Sequence, residues 1–106
     1  MSLDPLTWLP DRAAFEARLG QAVAASRAAR RGLALLLIDL DRIEQVNLTL
    51  GRDIGDRVLH QSAARMARAL GPVAALARLG SDDFAACMEV GNLADAAQRA
   101  RAVVSR

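Results

Sequence analysis

Large rings are nearly absent from this chain. Its 106 residues include no Tyr, one Trp and two Phe, so aromatics make up 3%. Apolar residues still reach 53%, and the core must therefore be aliphatic. Such a core leaves a small domain only modestly stable. The single cysteine, Cys87, excludes an internal disulfide and fits a reducing compartment. The longest apolar run, Leu33 to Ile38, falls far short of the ~20 residues that span a bilayer. No secretory apolar segment opens the chain. Lysine is missing altogether, and all 14 basic residues are Arg. These are scattered among 12 acids for a net charge of +2, so no basic stripe offers itself to nucleic acid. The expectation is one cytoplasmic domain, residues 1–106, with no nucleic-acid partner and no membrane insertion, alone or within a larger protein.

What is present is an ordered series of short elements. Asp4 to Pro10 reads as an extended, turn-rich opening, and Asp11 as a helix N-cap. Phe15, Leu19, Ala22 and Val23 recur at helical spacing up to Arg30 and Arg31, with Gly32 as a stop. Leu33 to Leu40 is an unbroken apolar run, which predicts a strand covered on both faces. Asp41 to Gly51 reads as a polar connector. Ile54, Val58, Met66, Ala69 and Leu70 predict a second amphipathic helix ended by Gly71-Pro72. Val73 to Leu79 and Phe84 to Val90 predict a hairpin turning at Gly80 to Asp83. Asn92 then caps a helix with Leu93, Ala96, Ala97 and Ala100 on one face. From the first strand onward, β-α-β-β-α matches the first five elements of a ferredoxin-like unit, an α+β (α/β) fold that needs one more strand.

Acid residues sit where this arrangement can use them. Asp39 closes the first strand, at the carboxyl end where ligand sites gather in open sheets. Asp82 sits at the hairpin tip. If the hairpin packs beside the first strand, the two carboxylates converge, and hard oxygen donors suit Mg²⁺ or Mn²⁺. His60, alone on a helix, reads as a surface or boundary residue. Cys87, between Ala86 and Met88, reads as core. Arg27, Arg30 and Arg31 suit the negative end of a helix dipole.

Three segments in order resemble one family. Asp4-Pro5-Leu6-Thr7-Trp8-Leu9-Pro10-Asp11-Arg12 is similar to "DxLTGLxNR". Asp39 to Asn47, then Gly51 and Gly55-Asp56, resembles "DxDxFKxINDxxGHxxGD". Arg78-Leu79-Gly80-Ser81-Asp82-Asp83-Phe84 resembles "R(Y/L)GG(D/E)EF". These are motifs of the GGDEF (diguanylate cyclase) family, and the resemblance covers the whole chain and about the first two-thirds of the family's domain. It implies the nucleotide-cyclase palm form of the ferredoxin-like fold, truncated before the final strand. It implies condensation of two GTP molecules to cyclic di-GMP between two domains that meet as a homodimer. Asp39, the Leu40 carbonyl and Asp82 would hold Mg²⁺ or Mn²⁺. Asp82 and Asp83 would be catalytic, and Asn47, Asp56 and Ser81 would bind GTP, the first two reading guanine.

Departures from the family pattern point to weak or absent turnover. Ser81 stands for the second Gly of the signature, and a side chain there can crowd the nucleotide. Asp83 replaces Glu, one methylene shorter in a site sensitive to small misplacement. Glu44 stands where the family has Lys, Arg52 where it has His, Leu48 where it has Asp, and Trp8 where it has Gly. The family's inhibitory product motif, "RxxD", would fall at Gly71-Pro72-Val73-Ala74, which lacks both charges. The competing expectation is a degenerate GTP-binding regulatory or dimerisation module.

Overall fold

The computed structural model describes residues 2–71 and 75–104. Asp4 opens the chain by folding a turn around itself. Its carboxylate accepts hydrogen bonds from the Thr7 N–H and Thr7 Oγ1, both at 2.8 Å. Asp11 then caps α1 (Arg12–Ala29), its side chain accepting from the Ala14 N–H at 3.0 Å. The helix ends at Arg30, which adopts a left-handed conformation, φ 57°. The predicted stop, Gly32, instead begins the next strand.

The remaining elements are β1 (Gly32–Asp39), α2 (Ile43–Leu50), α3 (Arg52–Leu70), β2 (Ala75–Arg78), β3 (Asp83–Val90) and α4 (Leu93–Val104). The sheet order is β1-β3-β2, and both pairings are antiparallel. β3 is the buried centre, with Phe84 only 1% exposed. Alternation along β3 feeds two cores. Phe84, Ala86, Met88 and Val90 pack with Ile43 of α2, Leu59 and Met66 of α3 and Val103 of α4. Ala85 and Cys87 face the other way, with Ala77 and Phe15 of α1. This is the α+β arrangement expected, with the carboxyl end of β1 set beside the β2–β3 turn.

Three expectations need correction. The stretch from Asp41 to Gly51 is not a plain connector: Ile43–Leu50 forms α2. Ile43 is 6% exposed in the core, so tertiary burial outweighs the weak propensities of Asn47 and Thr49. β1 is not covered on both faces. Leu35 and Leu37 are 50% and 75% exposed, because α1 packs mainly toward β2 and β3 on that side. Leu93 is exposed rather than part of the apolar face of α4. The expected start of β2 at Val73, and the Pro72 to Ala74 part of the product motif, lie outside the described residues.

Trp8 takes a backbone shape that suits glycine. Its φ is 64°, and its side chain is 74% exposed, so little burial offsets the left-handed strain. Trp8→Gly should raise stability by up to about 1 kcal/mol, the relieved strain exceeding the added freedom of the unfolded chain. Chemical denaturation of the two proteins checks this; a destabilised variant would show that the exposed ring makes contacts that matter.

Candidate metal and nucleotide site

The register of β1 and β3 sets the site. Eight consecutive pairs run from Gly32 opposite Val90 to Asp39 opposite Asp83. Beyond the last pair, the Leu40 N–H donates to the Asp82 carbonyl at 3.0 Å, so the hairpin tip is tied to the end of β1. The turn closes through the Asp83 carbonyl, which accepts from the Leu79 N–H at 2.8 Å. The Asp83 carboxylate lies across Gly80, where a Cβ would come within 3.3 Å of its Oδ2.

The result is a cluster of three acids. One carboxylate oxygen from each of Asp39, Asp82 and Asp83 lies within 4.8 Å of the other two. Asp39 and Asp83 are directly opposed on neighbouring strands, where like charges destabilise a sheet. Nothing in the pairing relieves this, but a divalent cation would. Hard carboxylate oxygens at this spacing fit Mg²⁺ or Mn²⁺, so the donor set suits the metal that the motifs imply.

Behind the turn lies a second tie. Arg78 Nη1 reaches both oxygens of Asp4, at 3.2 and 3.3 Å, and Nη2 donates to the Ser81 carbonyl at 2.7 Å. The side chains of Arg78 and Asp4 are 15% and 16% exposed. Burial opposes ionisation of Asp4, but the Thr7 hydrogen bonds and the Arg78 guanidinium outweigh it and hold the carboxyl below its usual value. Residues 74 positions apart thereby brace the turn that carries Ser81, Asp82 and Asp83. Sequence reasoning gave this pair no role, although both residues stand inside the recognised motifs. Ser81 itself is not among the residues with positive φ, so its side chain imposes no backbone strain there.

Asn47 and Asp56 are carried by α2 and α3. Asn47 on α2 packs its amide against Gly55 of α3, where any Cβ would overlap it. Its Oδ1 is buried without a hydrogen-bond partner. Asp56 follows on α3 and borders a hollow with Leu6, Arg57, His60 and Gln61. Asp39 borders a groove between β1, α3 and α4, whereas Ser81 borders a polar hollow with Asp4, Arg12 and Arg78. Asp39, Asp82 and Asp83 are therefore brought together, and Asn47 and Asp56 come from the adjoining helices α2 and α3. His60 is exposed, with Nδ1 3.3 Å from the Leu6 carbonyl. Cys87 is buried, and burial pushes its thiol up despite nearby Arg18, which fits a core role.

A palm-like α+β domain carrying a carboxylate cluster where β1 ends beside the β2–β3 turn is the class this geometry defines. Residues 1–106 match the family described as diguanylate cyclase, GGDEF domain, and the chain belongs to it. It is 45% identical over 82 residues to the diguanylate cyclase TpbB of Pseudomonas aeruginosa, covering 77% of this chain and 19% of that protein. Against the probable diguanylate cyclase DgcE of Escherichia coli it is 36% identical over 104 residues, 98% of this chain and 9% of that one. The chain thus spans a fifth or less of these curated relatives. A structure of TpbB comprising only its GGDEF domain superposes with a TM-score of 0.94 at 39% identity, covering 98% of this chain and 61% of that one. The GGDEF domain of DgcB from Caulobacter crescentus, solved with c-di-GMP, gives 0.88 at 28% identity, over 95% and 59% of the two chains.

The opposed acids should cost stability when no metal is present. Asp83→Asn removes one like-charge pair and should stabilise the metal-free protein by ~0.2–1 kcal/mol, toward the low end because both groups are exposed. Thermal unfolding in a chelator checks it, and an unchanged or lowered midpoint would contradict the electrostatic reading.

Asp4 gives a pH test. Its carboxyl is held below the ordinary 3.8, so its stabilising effect is complete above that value and is lost as pH falls through the folded value. Asp4→Asn should cost about 1–2 kcal/mol at neutral pH, and the gap from wild type should narrow as pH drops below about 4. A gap that stays constant across this range would exclude a role for the Asp4 charge.

Proposed function

We propose that this chain is the GTP-binding part of a GGDEF domain in cyclic di-GMP signalling, held in the cytoplasm and joined to other domains of a larger protein. One observation carries the reading: three carboxylates converge where the signature turn meets the end of β1. Asp39, the Leu40 carbonyl and Asp82 would hold Mg²⁺ or Mn²⁺. A cation bound there supplies charge neutralisation and Lewis-acid polarisation at the α-phosphate. Asn47 and Asp56 would hold guanine, an amide offering donor and acceptor and a carboxylate accepting from the guanine N–H edge. The orphaned Asn47 Oδ1 is an acceptor still to be satisfied. Asp83 would take the proton of the attacking 3′-hydroxyl as that oxygen bonds to the α-phosphorus and pyrophosphate leaves. Two GTP-loaded copies must face each other for this, so the family reaction requires a homodimer. No helix among the described residues is long and apolar enough to cross a membrane.

Binding and turnover separate here. Glu44 sits in the first turn of α2 in place of a cationic family residue and repels a triphosphate. The shortened Asp83 lies across Gly80, which sets its reach by one methylene less than the family's Glu. These two features favour the second reading, a degenerate GTP-binding regulatory module. Calorimetric titration should show GTP binding that requires Mg²⁺ or Mn²⁺ and weakens at least about tenfold in Asp56→Ala, since losing one good hydrogen-bonded charge contact costs about 1.5–3 kcal/mol. Chromatography after incubation with GTP and Mg²⁺ should detect no cyclic di-GMP from this chain alone. Metal-independent GTP binding would overturn the assignment, and product formation would overturn its inactive part.

A further inference from the structure

Arg52 serves no visible purpose in the fold. It opens α3, directly after Gly51, which ends α2. Its side chain is exposed, and among the described residues it joins no ion pair and no side-chain hydrogen bond. Local stability does not account for it, since a cation in the first turn of a helix opposes the helix dipole. Asp56 lies four residues on, so the two share one face of α3. They form no ion pair, whereas Arg12 with Glu16 and Asp95 with Arg99 pair at the same spacing. A guanidinium and a carboxylate are thus both left open, one helical turn apart.

Those two groups match the polar rim of guanine. If Asp56 accepts from N1–H and the N2 amino group, O6 and N7 are the next polar atoms around the ring. Both are acceptors, and the two parallel N–H donors of a guanidinium meet them together. Four residues of helix rise about 6 Å, comparable with the distance along the rim from N2 to N7. Asn47, packed on Gly55 with its Oδ1 unpaired, borders the same junction of α2 and α3. We propose that Arg52 reads the base, its guanidinium donating to O6 and N7 of guanine while Asp56 accepts from N1–H and N2–H. This rests on the GTP-binding reading above and adds the residue that recognises the second edge of the ring. Adenine keeps N7 but sets an amino donor where guanine has O6, so the same fork would meet one acceptor and one opposing donor. The His of the family pattern has no such fork, so Arg52 adds recognition that the pattern's own residue cannot supply.

Calorimetric titration of GTP, 7-deaza-GTP and ITP with Mg²⁺, into wild type and Arg52→Ala, tests this. 7-Deaza-GTP carries a C–H in place of N7. ITP keeps O6 and N7 but lacks the N2 amino group. Wild type should bind 7-deaza-GTP about three- to tenfold more weakly than GTP, the worth of one hydrogen bond. Arg52→Ala changes an exposed side chain and should fold as wild type. It should bind GTP about tenfold more weakly and no longer distinguish GTP from 7-deaza-GTP. Its loss should be as large with ITP as with GTP, because Asp56 serves the other edge. Wild type that binds GTP and 7-deaza-GTP alike would overturn the proposal and leave the GTP-binding reading intact. So would an Arg52→Ala loss of the same factor for both, which would assign Arg52 to the phosphates. A loss with GTP that ITP does not share would overturn it too, by placing Arg52 at the N2 edge. Wild type that binds no GTP would overturn the underlying reading and the proposal with it.

Discussion

Antiparallel pairing of β1 with β3 is the constraint on which the candidate site depends. The register leaves Asp39 facing Asp83 at the last pair, and the Leu40 N–H bond to the Asp82 carbonyl fixes the turn just beyond. Hydrogen bonds along the ladder hold together three carboxylates that repel. A cation held by such a cluster would offset this repulsion and so couple metal binding to folding. The buried run Phe84–Met88 makes the pairing hard to shift, because a one-residue slip would send Phe84 out of its core.

The turn is braced from behind as well as from beside. Asp4, Thr7 and Arg78 form a connected polar set whose far end is the Ser81 carbonyl. The opening segment therefore positions the signature turn, and anything that disturbs the opening turn is mechanically connected to the acids. Trp8 sits in that segment in a left-handed conformation, which places local strain next to the brace. The bracing residues Asp4, Thr7 and Arg78 keep the family pattern, whereas Trp8 beside them departs from it. Ser81 and Asp83 depart from that pattern within the turn, and Glu44 does so in the first turn of α2.

Local signals made much of this legible. Asp11 as a cap, the amphipathic spacing of α1 and α3, and the hairpin ending in Val90 are short-range features, and they appear close to where the pattern puts them. The convergence of Asp39 with Asp82 followed from topology once β1 and the hairpin were placed side by side. What was illegible depends on contacts remote in sequence. α2 carries Asn47 and Thr49, poor helix formers, and exists because Ile43 is buried. The exposure of Leu35 and Leu37 reflects where α1 lies over the sheet, which β1's own composition does not encode. The Asp4–Arg78 pair joins the two ends of the chain's motif series, and no periodicity reports it.

Manganese binding without nucleotide tests the central claim most directly, because Mn²⁺ can be followed by its own paramagnetic resonance. One site per chain is expected, with affinity falling sharply in Asp39→Ala and in Asp82→Ala while both variants keep the wild-type circular dichroism. Unchanged Mn²⁺ affinity in Asp39→Ala would contradict the account, since the strand end and the turn would then not share a cation.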